Sequence, residues 1–281
     1  MKLVRWGLEG QEKPGILDAE GQVRDLSAVI PDISHSVLSD SGLDVLRRLD
    51  LSHLRVVPDY VRLGAPVGRV GKIIAIGLNY ADHAAEAGLK PPAEPIVFQK
   101  ATSSLCGPYD PIEIPRGSVK TDWEIELGVV IGRRAKYIAE ADALDHVAGY
   151  CTVNDVSERH LQTERGGQWT KGKSHDTFCP VGPWLVTKDE VPDPQTLPLW
   201  CSVDGQRYQD GTTAPMIFTV AHIIAYLSQM MTLEPGDIIA TGTPPGVGMG
   251  IKPDPIFLKP GQIVECEVVG LGKQRHLTIA V

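Results

Sequence analysis

The feature of this sequence that most constrains its fold is a run of alternating apolar and acidic residues at positions 121–132. A period of two is typical of a β-strand, and one side of that strand would carry Trp123, Ile125, Leu127, Val129 and Ile131. The opposite side would carry Asp122, Glu124 and Glu126. Neighbours on one face of a strand lie roughly 7 Å apart, so these carboxylates can converge while their charges repel. Taken alone, the pattern also fits an ordinary strand with one face in solvent.

A second strand-like run, at positions 148–155, ends abruptly in another carboxylate, Asp155. If the two strands are neighbours, Glu124, Glu126 and Asp155 can form one site. Three carboxylates suit a hard divalent cation such as Mg²⁺, which prefers oxygen ligands. Because the three charges repel one another, we expect a doubly charged ion to be what holds them together.

The composition limits the kinds of partner that the protein can bind and the cellular compartment in which it is expected. With 281 residues, 42% hydrophobic and 22% charged, the chain can fold as one large globular domain or two smaller ones. A formal net charge of −8 and the lack of any Lys/Arg run argue against nucleic-acid and anionic-membrane binding. We expect no signal peptide and no membrane span, and five cysteines without a Cys-x-x-Cys pair fit buried thiols in a reduced compartment. A cytoplasmic protein is expected.

Two domains are predicted, divided near the Gly/Pro-containing segment 64–68. Residues 1–65 are interpreted as a small structural N-terminal domain, with a hairpin around a turn at 18–21 and a weak helix near Leu43 and Leu46. Residues 66–281 carry every candidate functional residue. The last segment, 261–281, is predicted to form two or three strands that close a sheet.

A short helix is predicted over 79–88, capped by Asn79 and ended by Gly88. His83 and Glu86 would share a face of this helix and can form a hydrogen bond, although an isolated pair of this kind is usually just a surface pair. The following segment, 89–95, is rich in proline and is interpreted as a hinge or the flank of a lid.

Three later segments complete the pattern. A short helix at 157–165 carries Gln162, and a polar loop at 171–177 carries Lys173, which local sequence alone would leave solvated. The helix predicted at 219–231 has core-packing periodicity. The Gly/Thr/Pro loop at 241–248 either offers backbone N–H groups to an anion or is a plain turn.

Together these motifs resemble the fumarylacetoacetate hydrolase family over residues 70–281, with the N-terminal residues resembling the small domain of many members. The matching positions, in chain order, are Gly77, Asn79, Tyr80, His83, Glu86, Glu124, Glu126, Asn154, Asp155, Gln162, Lys173 and Thr241-Gly242-Thr243-Pro244. Each motif is weak alone, but their order and spacing together are specific. One departure is Leu78, where some acylpyruvate-hydrolysing members carry arginine.

The resemblance implies a site residue by residue. Metal ligands for Mg²⁺ or Mn²⁺ would be Glu124, Glu126 and Asp155. Catalytic residues would be His83 and Glu86, as a dyad acting on water from a lid helix, and Lys173, which offsets negative charge on the substrate. Substrate-binding residues would be Tyr80, Gln162 and Thr243.

The resemblance also implies an α+β, predominantly β fold: a rolled mixed β-sheet with peripheral helices, commonly paired into a homodimer. The implied reaction is metal-dependent hydrolysis of a C–C bond in a 2,4-dioxo acid, which yields pyruvate and a carboxylic acid. The preferred substrates are 2,4-diketo-3-deoxy-L-rhamnonate or -fuconate, after the sugar-acid and ureidoglycolate lyase-like members. Two alternatives stay open: oxaloacetate decarboxylation, and a non-enzymatic protein whose cation only ties strands together.

Overall fold

The computed structural model describes residues 1–86, 88 and 90–281. Its strands, in chain order, are β1 (Lys2–Trp6), β2 (Lys13–Leu17), β3 (Val23–Asp25), β4 (Leu63–Gly64), β5 (Ile73–Gly77), β6 (Ile96–Lys100), β7 (Leu105–Cys106), β8 (Ile112–Ile114), β9 (Thr121–Asp122), β10 (Ile125–Ile131), β11 (Val147–Asn154), β12 (Ser157–Glu158), β13 (Cys179–Pro180), β14 (Leu185–Thr187), β15 (Pro198–Val203), β16 (Gln206–Thr212), β17 (Ile238–Ala240), β18 (Ile263–Val268) and β19 (Gly272–Ala280).

The helices are short and lie between these strands. They are α1 (Asp40–Arg47), α2 (Ala81–Glu86), α3 (Arg159–Thr163), α4 (Thr170–Lys173) and α5 (Val220–Met230). Short 3-10 turns occur at His35–Leu38, Leu51–His53, Thr102–Ser104, Glu140–His146, Lys188–Glu190 and Gly248–Gly250. No helix in the described ranges has the length and apolar character that crossing a membrane requires.

A large mixed sheet organises the molecule, with strand order β3-β2-β1-β14-β11-β10-β17-β5-β6. Only β17 and β5 run parallel in this order, and the other neighbours are antiparallel. A second sheet, β16-β15-β18-β19-β8, packs against it through contacts of β15 and β18 with β10. This arrangement confirms the predicted α+β, predominantly β fold with peripheral helices.

Strand β10, which carries Glu126, lies in the large sheet and contacts β15 and β18 of the second sheet. Its predicted apolar face, including Ile125, Leu127 and Val129, belongs to the core between the sheets. The opposite face is not in solvent: Val130 packs in a second core that includes residues of β1, β2 and α1. The alternation was therefore predicted correctly over 125–131, but the predicted strand is interrupted at Trp123 and Glu124, between β9 and β10, and both faces are buried. The carboxylates on this strand consequently need partners within the protein.

Residues 1–65 contain the predicted hairpin, β2 and β3, and helix α1 with Leu43 and Leu46 buried. Strand β1 pairs antiparallel with β14, so this N-terminal segment extends the large sheet. The division into domains at residue 65 stays a prediction. All five cysteines are free and buried, as predicted.

Two local predictions were wrong. Asn79 does not cap the short helix; its amide donates to the carbonyls of Phe218 and Thr241, and its oxygen accepts from the Phe218 N–H. The predicted loop at 171–177 begins as a helical turn, α4, which buries Lys173. Positions 87 and 89, in the predicted helix and the predicted lid flank, lie outside the described residues.

Candidate active site

The three predicted metal ligands converge where β10 and β11 meet. The strands pair with Ile125 opposite Asn154, so Glu124 and Asp155 are adjacent, and the Asp155 N–H donates to the Glu124 carbonyl at 2.8 Å. One carboxylate oxygen from each of Glu124, Glu126 and Asp155 lies within 4.8 Å of the other two. All three side chains are buried. Such a set of closely spaced oxygens fits a divalent cation.

Protein cations already compensate these charges. The Lys173 ammonium, itself only 1% exposed, lies 2.7 Å from Glu124 Oε2 and 2.6 Å from Asp155 Oδ2. On the other side of Asp155, the buried Lys100 Nζ contacts Oδ1 at 2.5 Å. Arg159 Nη1 is 2.6 Å from Glu124 Oε1. Lysine and arginine side chains therefore offset part of the repulsion between the carboxylates, which the sequence analysis had assigned to a metal ion alone.

The carboxylates differ in their electrostatic environment. Burial raises the pKa of Glu124, but the charges of Lys173 and Arg159 outweigh it and hold that pKa well below its usual range. Burial, followed by the charges of Asp155 and Glu124, raises the pKa of Glu126. Glu126 has the Gly242 N–H as a hydrogen-bond donor, at 2.7 Å. The site thus combines a firmly ionised carboxylate with one that takes up a proton more readily.

The predicted His83–Glu86 pair forms at the end of helix α2. His83 Nδ1 lies 3.1 Å from Glu86 Oε2, and Glu86 Oε1 accepts the Gly246 N–H at 2.9 Å. His83 is 7% exposed and lines the same cavity as Glu124 and Glu126. The pair is therefore not a surface pair. Glu86, which the Gly246 N–H holds in place, orients the imidazole on the cavity wall.

Of the three predicted substrate-binding residues, two line the cavity and one does not. Gln162 and Thr243 line the cavity. The Gln162 Oε1 accepts from Arg159 Nη1 at 3.0 Å, and the Thr243 hydroxyl donates to the Ile125 carbonyl at 2.7 Å. Tyr80 is completely buried and is not among the residues that line the cavity. Its hydroxyl has no hydrogen-bond partner among the described residues, and burial, with the nearby charge of Glu126, raises its pKa.

Two cations of the site were missed from the sequence, Lys100 and Arg159. Arg159 is buried on α3, where it donates through Nε to Asp122 Oδ2 at 2.8 Å. Its Nη2 is buried without a partner among the described residues, and the side chain lines the cavity. Its spacing, four residues after Asp155 and three before Gln162, was the available signal. Lys100, at the end of β6, has no such local signal.

The loop at 241–248 does bind anions through its N–H groups, but those anions are carboxylates of this chain. Gly242 donates to Glu126, Gly246 to Glu86 and Gly248 to Asp122 at 2.6 Å. Gly242 has φ +98°, and a Cβ there would lie 2.7 Å from Asn79 Cβ, so only glycine fits. Through Glu126 and Glu86, this loop connects strand β10 to helix α2.

The comparisons with known proteins agree with this geometry. The family profile described as Fumarylacetoacetate (FAA) hydrolase C-terminal matches residues 72–279. Fumarylacetoacetate hydrolase from Exiguobacterium antarcticum is 37% identical, with a TM-score of 0.83 and 100% of both chains covered. Maleylpyruvate hydrolase from Sphingobium sp. SYK-6, solved with manganese (II) ion and pyruvate, is 30% identical, with a TM-score of 0.82, 100% of this chain and 99% of that chain covered.

A curated relative extends the similarity along the whole sequence. The protein named "Putative hydrolase" from Burkholderia multivorans is 67% identical over 280 residues, covering 100% of this chain and 99% of the relative. Profile, sequence and fold therefore agree. The chain belongs to the fumarylacetoacetate hydrolase family.

Proposed function

We propose that this protein is a divalent-metal-dependent hydrolase that cleaves the C–C bond of a 2,4-dioxo acid, giving pyruvate and a carboxylic acid. The observation that carries the proposal is the position of the His83–Glu86 pair on the same cavity as Glu124 and Glu126. A base, a set of oxygen ligands and buried cations then surround one space. That combination suits hydrolysis through an enolate.

The residues present fit a cation such as Mg²⁺ or Mn²⁺. Glu124, Glu126 and Asp155 would hold it through oxygens that lie within 4.8 Å of one another. When bound, the cation would polarise the 2-oxo group and stabilise negative charge on the oxygen of the enolate. The manganese and pyruvate in the similar maleylpyruvate hydrolase support the choice of ligand and product. Lys173, which lines the cavity, would turn from the carboxylates toward the substrate.

The protein side chains then account for the proton movements. His83 removes a proton from water, and Glu86 stabilises the resulting imidazolium and keeps the ring oriented. The hydroxide attacks the C4 carbonyl, and the C3–C4 bond breaks with its electron pair passing to the pyruvate enolate. The proton held on His83 then passes to C3 of the enolate, which gives pyruvate and returns the imidazole to its neutral form. Lys173 and Arg159, both buried cations on the cavity, stabilise the substrate carboxylate and the developing oxyanion.

The test is a panel of oxo acids with Mg²⁺ or Mn²⁺, with pyruvate and the second product both identified. The panel includes simple acylpyruvates, oxaloacetate and the two sugar-acid substrates that the family resemblance favours. Pyruvate with a carboxylic acid supports the proposal. Pyruvate with CO₂ from oxaloacetate alone identifies a decarboxylase, and a product that keeps every carbon identifies an isomerase.

The His83→Ala variant separates the mechanisms further. Hydrolysis needs a base for water and is expected to be lost, whereas decarboxylation needs only enolate stabilisation and is less affected. Unchanged hydrolysis would contradict the role given to His83. The homodimer implied by the resemblance also remains a proposal, and light scattering after size-exclusion chromatography would test it.

A further inference from the structure

The cavity has two chemically different parts. Its buried side chains are polar except for that of Ile76; they are His83, Glu124, Glu126, Arg159, Gln162, Lys173 and Thr243. Its mouth is formed by partly exposed apolar side chains, Leu78, Phe98, Trp169 and Met249. We call these four residues the apolar mouth. An oxo acid that places its carboxylate on the buried cations must therefore place its other end against the apolar mouth.

The aromatic part of the mouth is held in a fixed position. Trp169 and Phe98 pack edge to face, with ring centroids 5.3 Å apart at 61°. The indole also lies on the backbone of Gly77, where a Cβ would come within 2.3 Å of Trp169 Cζ3. Lys173 Nζ lies 5.0 Å from the centre of the Phe98 ring, so this ring marks the boundary between the charged and apolar parts.

Leu78, the fourth residue of the apolar mouth, has a strained backbone conformation. Its φ of 53° lies in the left-handed region, which leucine rarely adopts and asparagine or glycine tolerates more easily. Non-glycine residues in this conformation concentrate at functional sites, where the surroundings hold them in place. Here the strained position carries an apolar side chain into the cavity mouth.

We propose that the group attached to C4 of the substrate is apolar, an alkyl chain or an aromatic ring, and that the apolar mouth selects it. This inference rests on the proposed reaction. A polyhydroxylated group would find few partners there: of the described cavity residues with hydroxyl groups, Thr163 already donates to the Arg159 carbonyl at 2.9 Å and Thr243 to the Ile125 carbonyl at 2.7 Å, so both are left only as acceptors. Hydroxyl groups that lose water without gaining hydrogen bonds weaken binding. The sugar-acid substrates accordingly rank below simple acylpyruvates.

The first experiment compares kcat/KM for acetyl-, butanoyl-, hexanoyl- and benzoylpyruvate with that for a polyhydroxylated 2,4-dioxo acid. A fully buried methylene corresponds to about a fourfold gain, and a partly exposed mouth gives less. We expect kcat/KM to rise at least about tenfold from acetyl to hexanoyl and to be lowest for the polyhydroxylated compound. A flat series, or a preference for the polyhydroxylated compound, would overturn the proposal.

A matched pair of variants tests the mouth itself. Leu78→Asn removes apolar surface and relieves the backbone strain, so it is expected to fold at least as well as the parent protein. Its preference for hexanoyl over acetyl should fall to less than about threefold. Leu144→Asn makes the same exchange at a 40% exposed leucine outside the cavity and should keep the preference. Equal preferences in the two variants would contradict the role of Leu78.

Binding separates this inference from the proposed reaction. The Kd of each acylpyruvate for Mn²⁺-loaded His83→Ala protein, measured by calorimetry, should follow the same order without hydrolysis. If no 2,4-dioxo acid is hydrolysed by the unmodified protein, the proposed reaction fails, and the inference that rests on it fails too. If hydrolysis occurs but Kd and kcat/KM do not depend on the acyl group, only the inference about the mouth fails.

Discussion

Replacing Lys173 with methionine is the sharpest test of how the acidic cluster is held together. The change removes a buried ammonium that contacts Glu124 at 2.7 Å and Asp155 at 2.6 Å. Each carboxylate keeps one other cation, Arg159 or Lys100 respectively. Breaking a buried ion pair typically costs about 3–5 kcal/mol, so we expect a loss of about 3 kcal/mol in the free energy of unfolding without metal.

A divalent cation should restore much of this loss, because it replaces the missing positive charge. In the unmodified protein the same ion must displace Lys173. We therefore expect Mn²⁺ to bind Lys173→Met at least about tenfold more tightly, which adds about 1.4 kcal/mol of stabilisation at a fixed high metal concentration. Turnover should be lost even with metal bound, because the variant lacks the cation that offsets substrate charge.

The assay is urea unfolding at pH 7.5, once with EDTA and once with excess Mn²⁺. This pH is chosen from the pKa shifts. The lowered pKa of Glu124 gives stability that is lost only as pH falls below the usual carboxylate range. The raised pKa of Lys173, where Asp155 and Glu124 outweigh burial, gives stability that is lost only as alkaline pH passes the folded-state value.

The matched control is Lys171→Met, at an exposed lysine on the same short helix. It should change stability by less than about 0.5 kcal/mol and leave metal affinity unchanged. If Lys173→Met is as stable as this control in EDTA, or if Mn²⁺ stabilises both variants equally, the account of Lys173 as the counter-ion of the metal-free site is wrong.

Three further outcomes are expected. His83→Ala should keep its Mn²⁺ affinity within about threefold by calorimetry while losing hydrolysis, and a large loss of affinity would show that His83 acts through the metal. Burial and the charges of Asp155 and Glu124 raise the pKa of Glu126, so protons should compete with the cation for this carboxylate. The Mn²⁺ affinity should therefore rise with pH. Calorimetry in buffers of different ionisation enthalpy should show proton release on Mn²⁺ binding, and this release should be absent in Glu126→Gln. Gly77→Ala should displace the Trp169 ring and lower the free energy of unfolding, measured in urea, by about 1–3 kcal/mol. The double variant Gly77→Ala/Trp169→Leu should recover part of that stability. Equal stability of Gly77→Ala and the parent protein would refute the close contact.

The sequence by itself determined the elements that carry the site. Alternation located strand β10, which carries Glu126 and begins directly after Glu124, and the apolar run ending at Asp155 predicted its partner strand. Spacing predicted that His83 and Glu86 share a helix face. These predictions succeeded because each depends on local periodicity, which a single strand or a single helical turn fixes. The family resemblance then supplied the fold, which local periodicity could not.

Only the tertiary structure decided what surrounds those carboxylates. Lys100 and Lys173 reach Asp155 from strand β6 and helix α4, which are remote from it in sequence. Asn79 was predicted to cap a helix, but its side-chain amide instead donates hydrogen bonds to the backbone carbonyls of Phe218 and Thr241. The sequence reports which charges a chain carries, whereas their mutual distances depend on how distant strands pack. Since Coulomb energy depends on distance and burial, the sequence-based view of three repelling carboxylates was incomplete, and the folded chain supplies their counter-ions itself.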